Sequence, residues 1–246
     1  MSTHTQARPH TNGSAPEFER WRDSTRVFLQ PIAAPSILGL MGFAAATFMV
    51  STYIAGWYGT STTPSYLFPF AALFGGVAQF AAGMWAYRAR DAVATLAHGM
   101  WGSFWIGWGI LYLLVTVGDL AAPVGKVPAL AFWFFPLAAI TASAAVASVG
   151  RNLGVTSTLV ALAGGSGCLA IGYLIGSSAW MHTAGWILFV SACLAFYTAS
   201  AMMWNSALGR VILPTGEPTA DANVPGRMPV HPIEYHDGEP GVRQGQ

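Results

Sequence analysis

Apolar side chains fill six long stretches of this chain, and the ionised ones fall only in the gaps between them. From Val27 to Gly209 the charged residues are Arg88, Arg90, Asp91, Asp119, Lys126 and Arg151. A helix needs ~20 residues to cross the ~30 Å of hydrocarbon in a bilayer. Runs of about that length can be drawn at roughly 35–55, 64–87, 92–117, 128–149, 155–176 and 183–208. The pattern predicts an all-α integral membrane protein, a bundle of six transmembrane helices.

The arginines set the expected orientation. Arg20, Arg22 and Arg26 precede the first run, Arg88 and Arg90 separate the second from the third, Arg151 the fourth from the fifth, and Arg210 follows the sixth. The alternate gaps carry no charge, at 56–63 and 177–182, or the opposed pair Asp119 and Lys126. Positive loops stay in the cytoplasm, so both termini are expected there and the odd helices run outward. Trp57, Tyr58, Tyr66 and Trp180 would then mark the outer interface, and Trp85, Tyr87 and Trp204 the inner one.

Composition narrows the class further. The chain has 246 residues, 54% of them hydrophobic and only 9% charged, against about one-quarter charged in soluble domains. One transmembrane domain at 31–213 accounts for almost all of it. The segments 1–30 and 214–246 read as disordered cytoplasmic tails, because their polar, Pro- and Gly-rich sequence has too little apolar surface to offset the entropy of ordering. The first segment also lacks the short apolar core of a signal peptide. A net charge of +1 predicts no nucleic-acid partner. Cys168 and Cys193 lie inside apolar runs, which gives no disulfide framework and no metal site, and no cofactor is expected.

Small residues gather on selected faces: Gly42 with Ala46, the patch Gly164–Gly165–Ser166–Gly167, and the GxxxG pair Gly172 and Gly176. Such faces let helices approach closely in lipid, where no hydrophobic force drives them together. Pro136, in mid-run, is expected to kink the fourth helix. No Asp, Glu, Lys or Arg lies deep in a span, which weighs against pumps and exchangers built on a carboxylate relay. The neutral residues Gln79, His98, Ser103, Ser166, Thr198 and Asn205 are left to hydrogen-bond a small solute or a neighbouring helix. No Ser/His/Asp arrangement or metal-ligand spacing points to an enzyme.

The strings LGLMGF (38–43), GGVAQFAAG (75–83), GSFW (102–105), HTAGW (182–186) and LGRVILPTGE (208–217) closely resemble the acetate uptake transporter family, the succinate-acetate permeases. The resemblance covers about residues 34–217. It implies a six-helix protomer assembled as a homo-hexamer in the cytoplasmic membrane, each protomer with its own path for acetate and related short carboxylates. Proton-coupled symport and channel-like conduction are both consistent with it. The family's narrow apolar constriction, a Phe, a Tyr and a Leu from the first, third and fifth helices, falls at Phe43, Trp101 and Leu162, so the Tyr has become a Trp. All three lie about seven to nine positions into helices that start on the same side, roughly 10–14 Å deep. His98, one turn before Trp101, would line the vestibule below the ring, and Gln79, Ser103 and Asn205 are the other candidates to touch substrate.

The chain departs from the family in places. Its opening motif NPAPLGL reads APSILGL at 34–40, and the positions where glutamates are expected hold Ala86 and Met202. The proton is therefore expected to travel with the substrate rather than through a protein relay. A pore for a neutral solute such as water, ammonia or glycerol, and a sensor or assembly protein without flux, are the alternative readings.

Overall fold

The computed structural model describes residues 32–217, so the expectations for the segment 1–30 and for the chain beyond 217 lie outside the described residues. The chain divides into a unit Met1–Ala33 and a unit Ala34–Gln246, and the helices among the described residues lie in the second. Six of them are long and apolar enough to cross a membrane: α1 Pro35–Ile54, α2 Thr63–Arg88, α3 Ala92–Val117, α4 Pro128–Ser148, α5 Leu153–Ile175 and α6 Ser178–Leu208. This is the six-helix, all-α architecture read from the apolar runs.

Local chemistry explains where the helices begin and end. Proline stands in the first turn of α1, α2 and α4, where its missing N–H costs nothing. Asp91, Asn152 and Ser177 cap α3, α5 and α6 by accepting from Ala94, Val155 and Trp180. The Ser177 cap starts α6 at Ser178, earlier than the expected 183. Gly118 and Gly176 end α3 and α5 at φ of 88° and 71°, a left-handed conformation that suits glycine. Gly176 is thus a helix stop that also packs on Lys126 of the α3–α4 connection, while Gly172, the other member of the GxxxG pair, packs on Met181 in α6.

The interrupted helix is α2 rather than α4. α4 runs through Pro136 without a change of helix type. In α2, Pro69 removes a backbone donor, and the helix widens to π geometry over Ala71–Ala78 before resuming at Gln79–Arg88. The widened turns are pressed from both sides: a Cβ on Gly75 would meet Ala46 of α1 and Trp105 of α3 at 2.6 Å.

α1 packs between α6 and α2, α2 against α3, and α6 against α5, which packs on α4. Backbones touch at glycine. A Cβ on Gly42 would collide with the carbonyl oxygen of Phe74, and one on Gly185 with the backbone of Ala55 and Ser51. The arginines 88, 90, 151 and 210 fall at one end of the bundle, called here the basic end, and Asp119 and Lys126 in the α3–α4 connection at the other.

The chain after α6 stays attached to the bundle as far as it is described. Asn205 holds it: Oδ1 accepts from Ile212 at 2.6 Å and Leu213 at 3.2 Å, and Nδ2 donates to the Leu213 carbonyl at 2.9 Å. The carbonyls of Thr215 and Gly216 then accept from Gly154 and Leu153 at the start of α5, and Tyr197 donates to the Pro214 carbonyl. The first residues assigned to a tail, 214–217, are therefore a strap across the ends of α5 and α6.

Candidate functional site

A line of cavities runs through the bundle. At the end away from the arginines a mouth of about 660 Å³ is bordered by Tyr53, Tyr58, Tyr112, Tyr173, Gly125 and His182. It shares Val50, Ile54, Trp108, Tyr112, Pro123 and Tyr173 with a deeper main cavity of about 400 Å³. At the basic end lies a small cavity of about 120 Å³ bordered by Leu40, Asp91, His98, Arg151, Asn152 and Leu159. The main and basic-end cavities have no lining residue in common.

Three side chains stand at that break. Trp101 and Leu162 line the floor of the main cavity, and each is one turn along its helix from a residue of the basic-end cavity, His98 and Leu159 respectively. Phe43 is likewise one turn from Leu40 and is 2% exposed, facing neither cavity. The rings of Phe43 and Trp101 meet edge to face, with centroids 6.1 Å apart. All three are buried. Trp101 is held from the far side as well, since its indole N–H donates to Thr141 Oγ1 of α4 at 2.9 Å.

The main cavity is an aromatic chamber. Trp101, Phe104, Trp105, Trp108 and Tyr112 climb one face of α3 with successive centroids 4.5–5.6 Å apart. Their three- and four-residue spacing was visible in the sequence, but only the packing shows that the stripe faces a cavity rather than lipid. Thr47 and Ser51 of α1 add hydroxyls, and no Asp, Glu, Lys or Arg lines the chamber. Thr47 Oγ1 and Trp105 Nε1 are buried without a hydrogen-bond partner. Such orphaned groups are uncommon in folded proteins and call for a ligand, a water or a movement to satisfy them.

The candidates read from sequence separate into different settings. His98 is 4% exposed, borders the basic-end cavity, and its Nδ1 has no partner. Ser103 borders the main cavity, with its hydroxyl donating to the Gly99 carbonyl at 2.8 Å. Gln79 is buried beside Gly42 where α1 meets α2; its Oε1 is unpartnered and it lines none of the three cavities. Asn205 lines none of them either, and both ends of its amide are engaged by the strap.

A family model described as the GPR1/FUN34/yaaH family matches residues 22–217. The chain belongs to this family. A relative from Escherichia coli K12, named succinate-acetate/proton symporter SatP, is 29% identical over 193 residues, covering 76% of this chain and 96% of that protein. An ammonia transport outward protein 2 from Saccharomyces cerevisiae is 28% identical over 174 residues, covering 69% and 61%. The solved structure described as the bacterial acetate channel SatP matches with a TM-score of 0.69 at 26% identity, covering 76% of this chain and all of that one. The protein is a multi-pass membrane protein, and these three relatives are named as a symporter, a transport protein and a channel rather than enzymes.

Proposed function

We propose that this protein moves acetate and, more weakly, other short monocarboxylates across the cytoplasmic membrane, with its basic end in the cytoplasm, through one path in each protomer of a homo-hexamer. The observation that carries this reading is the break between the cavities. Trp101 and Leu162 line the uncharged aromatic chamber, each one turn from a residue of the small cavity that holds Asp91, Arg151 and His98, and the buried Phe43 packs on Trp101. In a family whose relatives are named for acetate and succinate-acetate, that break is the natural place to select a solute.

Magnitudes decide which form of the solute crosses. Moving a carboxylate ion into a low-dielectric site carries an idealised cost of order 20 kcal/mol, and several kcal/mol after relaxation. Nothing ionised in the chamber offsets it. Protonating an acid of pKa ~4.3 at pH 7 costs only about 4 kcal/mol. Passage with a proton is the cheaper route, and since Ala86 and Met202 supply no carboxylate, the proton rides on the substrate. An apolar ring that wets only transiently suits this, because it bars ions while admitting a small neutral acid. Trp101, larger than the family's Tyr, narrows the opening against longer carboxylates.

Purified protein in liposomes is expected to take up labelled acetate faster than empty liposomes at every pH, with uptake rising as external pH falls and reduced by propionate or formate. Flux equal to the empty control would overturn the reading. The uncharged chamber and the yeast relative's name also favour a second solute, ammonia. Methylammonium flux that acetate does not inhibit would shift the assignment to a neutral pore.

A further inference from the structure

Among the described residues, one cation borders the way out for a carboxylate that has crossed the ring. No Lys or Arg lines the mouth or the main cavity, while Arg151 lines the basic-end cavity. Among the described residues the other cations, Arg88, Arg90, Lys126 and Arg210, line none of the three. Arg151 sits in the short turn between α4 and α5, where it comes within 3.7 Å of Asp91 Oδ1.

The two partners are held very differently. Asp91 is fixed, because the same Oδ1 caps α3 by accepting from Ala94 at 3.0 Å. The turn before it is tight as well, with Arg90 at a left-handed φ of 57°. The guanidinium is not fixed by this contact. A charge-assisted hydrogen bond to a carboxylate runs at about 2.7–2.9 Å, so 3.7 Å is an electrostatic approach rather than a forked pair. The side chains are 59% and 43% exposed, and ion pairs so open to water contribute little and exchange readily. A guanidinium offers five N–H donors shaped to take a carboxylate two at a time, and Asp91 engages them only at long range.

We propose that Arg151 is the carboxylate docking point at the basic end of the path, and that its ion pair with Asp91 is a latch opened when a substrate carboxylate takes the place of Asp91 on the guanidinium. This rests on the transport reading above. The cavity around the pair has room for a small solute: about 120 Å³, where a single water needs about 10–15 Å³. Its wall also includes the buried His98, one turn from Trp101, whose ring packs against Gly39, so a carboxylate leaving the ring passes an imidazole before it reaches the cation. With no substrate there, the exposed guanidinium exchanges between Asp91 and water.

The test is the KM for acetate presented on each side of reconstituted protein, with kcat measured alongside. Arg151→Gln is expected to raise KM on the basic-end side about fivefold or more with little change on the other side. Arg151→Lys should restore most of the loss. Asp91→Asn, which still caps α3, should lower KM on the basic-end side about twofold or more by freeing the guanidinium. A one-sided KM effect is the signature, since a purely structural role would depress kcat from both sides. If wild-type protein carries no acetate, the transport reading fails. If it carries acetate and Arg151→Gln assembles with an unchanged basic-end KM, the docking point fails. Should Arg151→Gln not assemble, Asp91→Asn decides alone, and an unchanged or raised KM overturns the latch.

Discussion

Trp101 and Trp105 stand one turn apart on the same face of α3, and their surroundings treat them in opposite ways. The indole N–H of Trp101 is satisfied by Thr141, whose own hydroxyl donates to the Leu137 carbonyl at 2.7 Å, so the ring is pinned across the α3–α4 seam. Trp105 is equally buried and has no partner. A residue meant to hold a fixed aperture needs the first arrangement, and one that changes contacts as a solute passes fits the second. Trp101→Ala is therefore expected to widen the path and admit larger carboxylates such as lactate, read as a shift in competition against acetate uptake. Trp101→Phe keeps an aromatic ring and loses only the bond to Thr141. Interhelical hydrogen bonds in membranes average about 0.6 kcal/mol and reach about 1.7, so it should lower thermal stability slightly and leave the exclusion of lactate largely in place. Unchanged substrate range in Trp101→Ala would place the aperture elsewhere.

At the scale of elements, α2 and the strap after α6 do what no single helix run announced. The π turns of α2 bring Gly75 against α1 and α3 together, which seats Trp105 beside the chamber. The strap ties α5 to α6 through the carbonyls of Gly216 and Thr215, which accept from the amides of Leu153 and Gly154 at the start of the helix that carries Leu159 and Leu162. Asn205 is its anchor, with three hydrogen bonds to the backbone of Ile212 and Leu213. A hydrogen bond contributes about 0.5–1.5 kcal/mol net. Asn205→Ala should thus release the strap and speed hydrogen exchange at the Leu153 and Gly154 amides by on the order of tenfold or more. Exchange at wild-type rates would mean the strap holds without its anchor. In sequence Asn205 reads as a polar group for a solute or a neighbouring helix, because the partner that takes its amide lies past the helix end in a stretch without apolar periodicity.

For the molecule as a whole, orientation is the property the helices leave to the charges. Arginines at one end and a cancelling Asp119 and Lys126 at the other predict that the basic end is cytoplasmic. With Cys168 and Cys193 replaced, a single cysteine at Lys126 should react with an impermeant reagent from outside, and one at Arg88 only after the membrane is opened. The reverse pattern would turn the protein over and with it the direction of the path. Span number and order were legible from the chain, and so were the lengths apart from the early start of α6, because the bilayer imposes its demand on every residue of a crossing helix in turn, whatever that helix packs against. The family was legible for a related reason: its motifs are local strings. The facing of each helix was not. In lipid a helix is apolar on all sides, so the one-sided periodicity that marks a buried face in water is absent. Only the packed structure shows the α3 aromatics facing a chamber, Trp101 bonded to a threonine 40 residues away, Asn205 turned to a strap, and Asp91 beside Arg151 at the mouth of the cavity below the ring. Those relations depend on which glycines let which backbones touch, and that is settled between helices far apart in the chain.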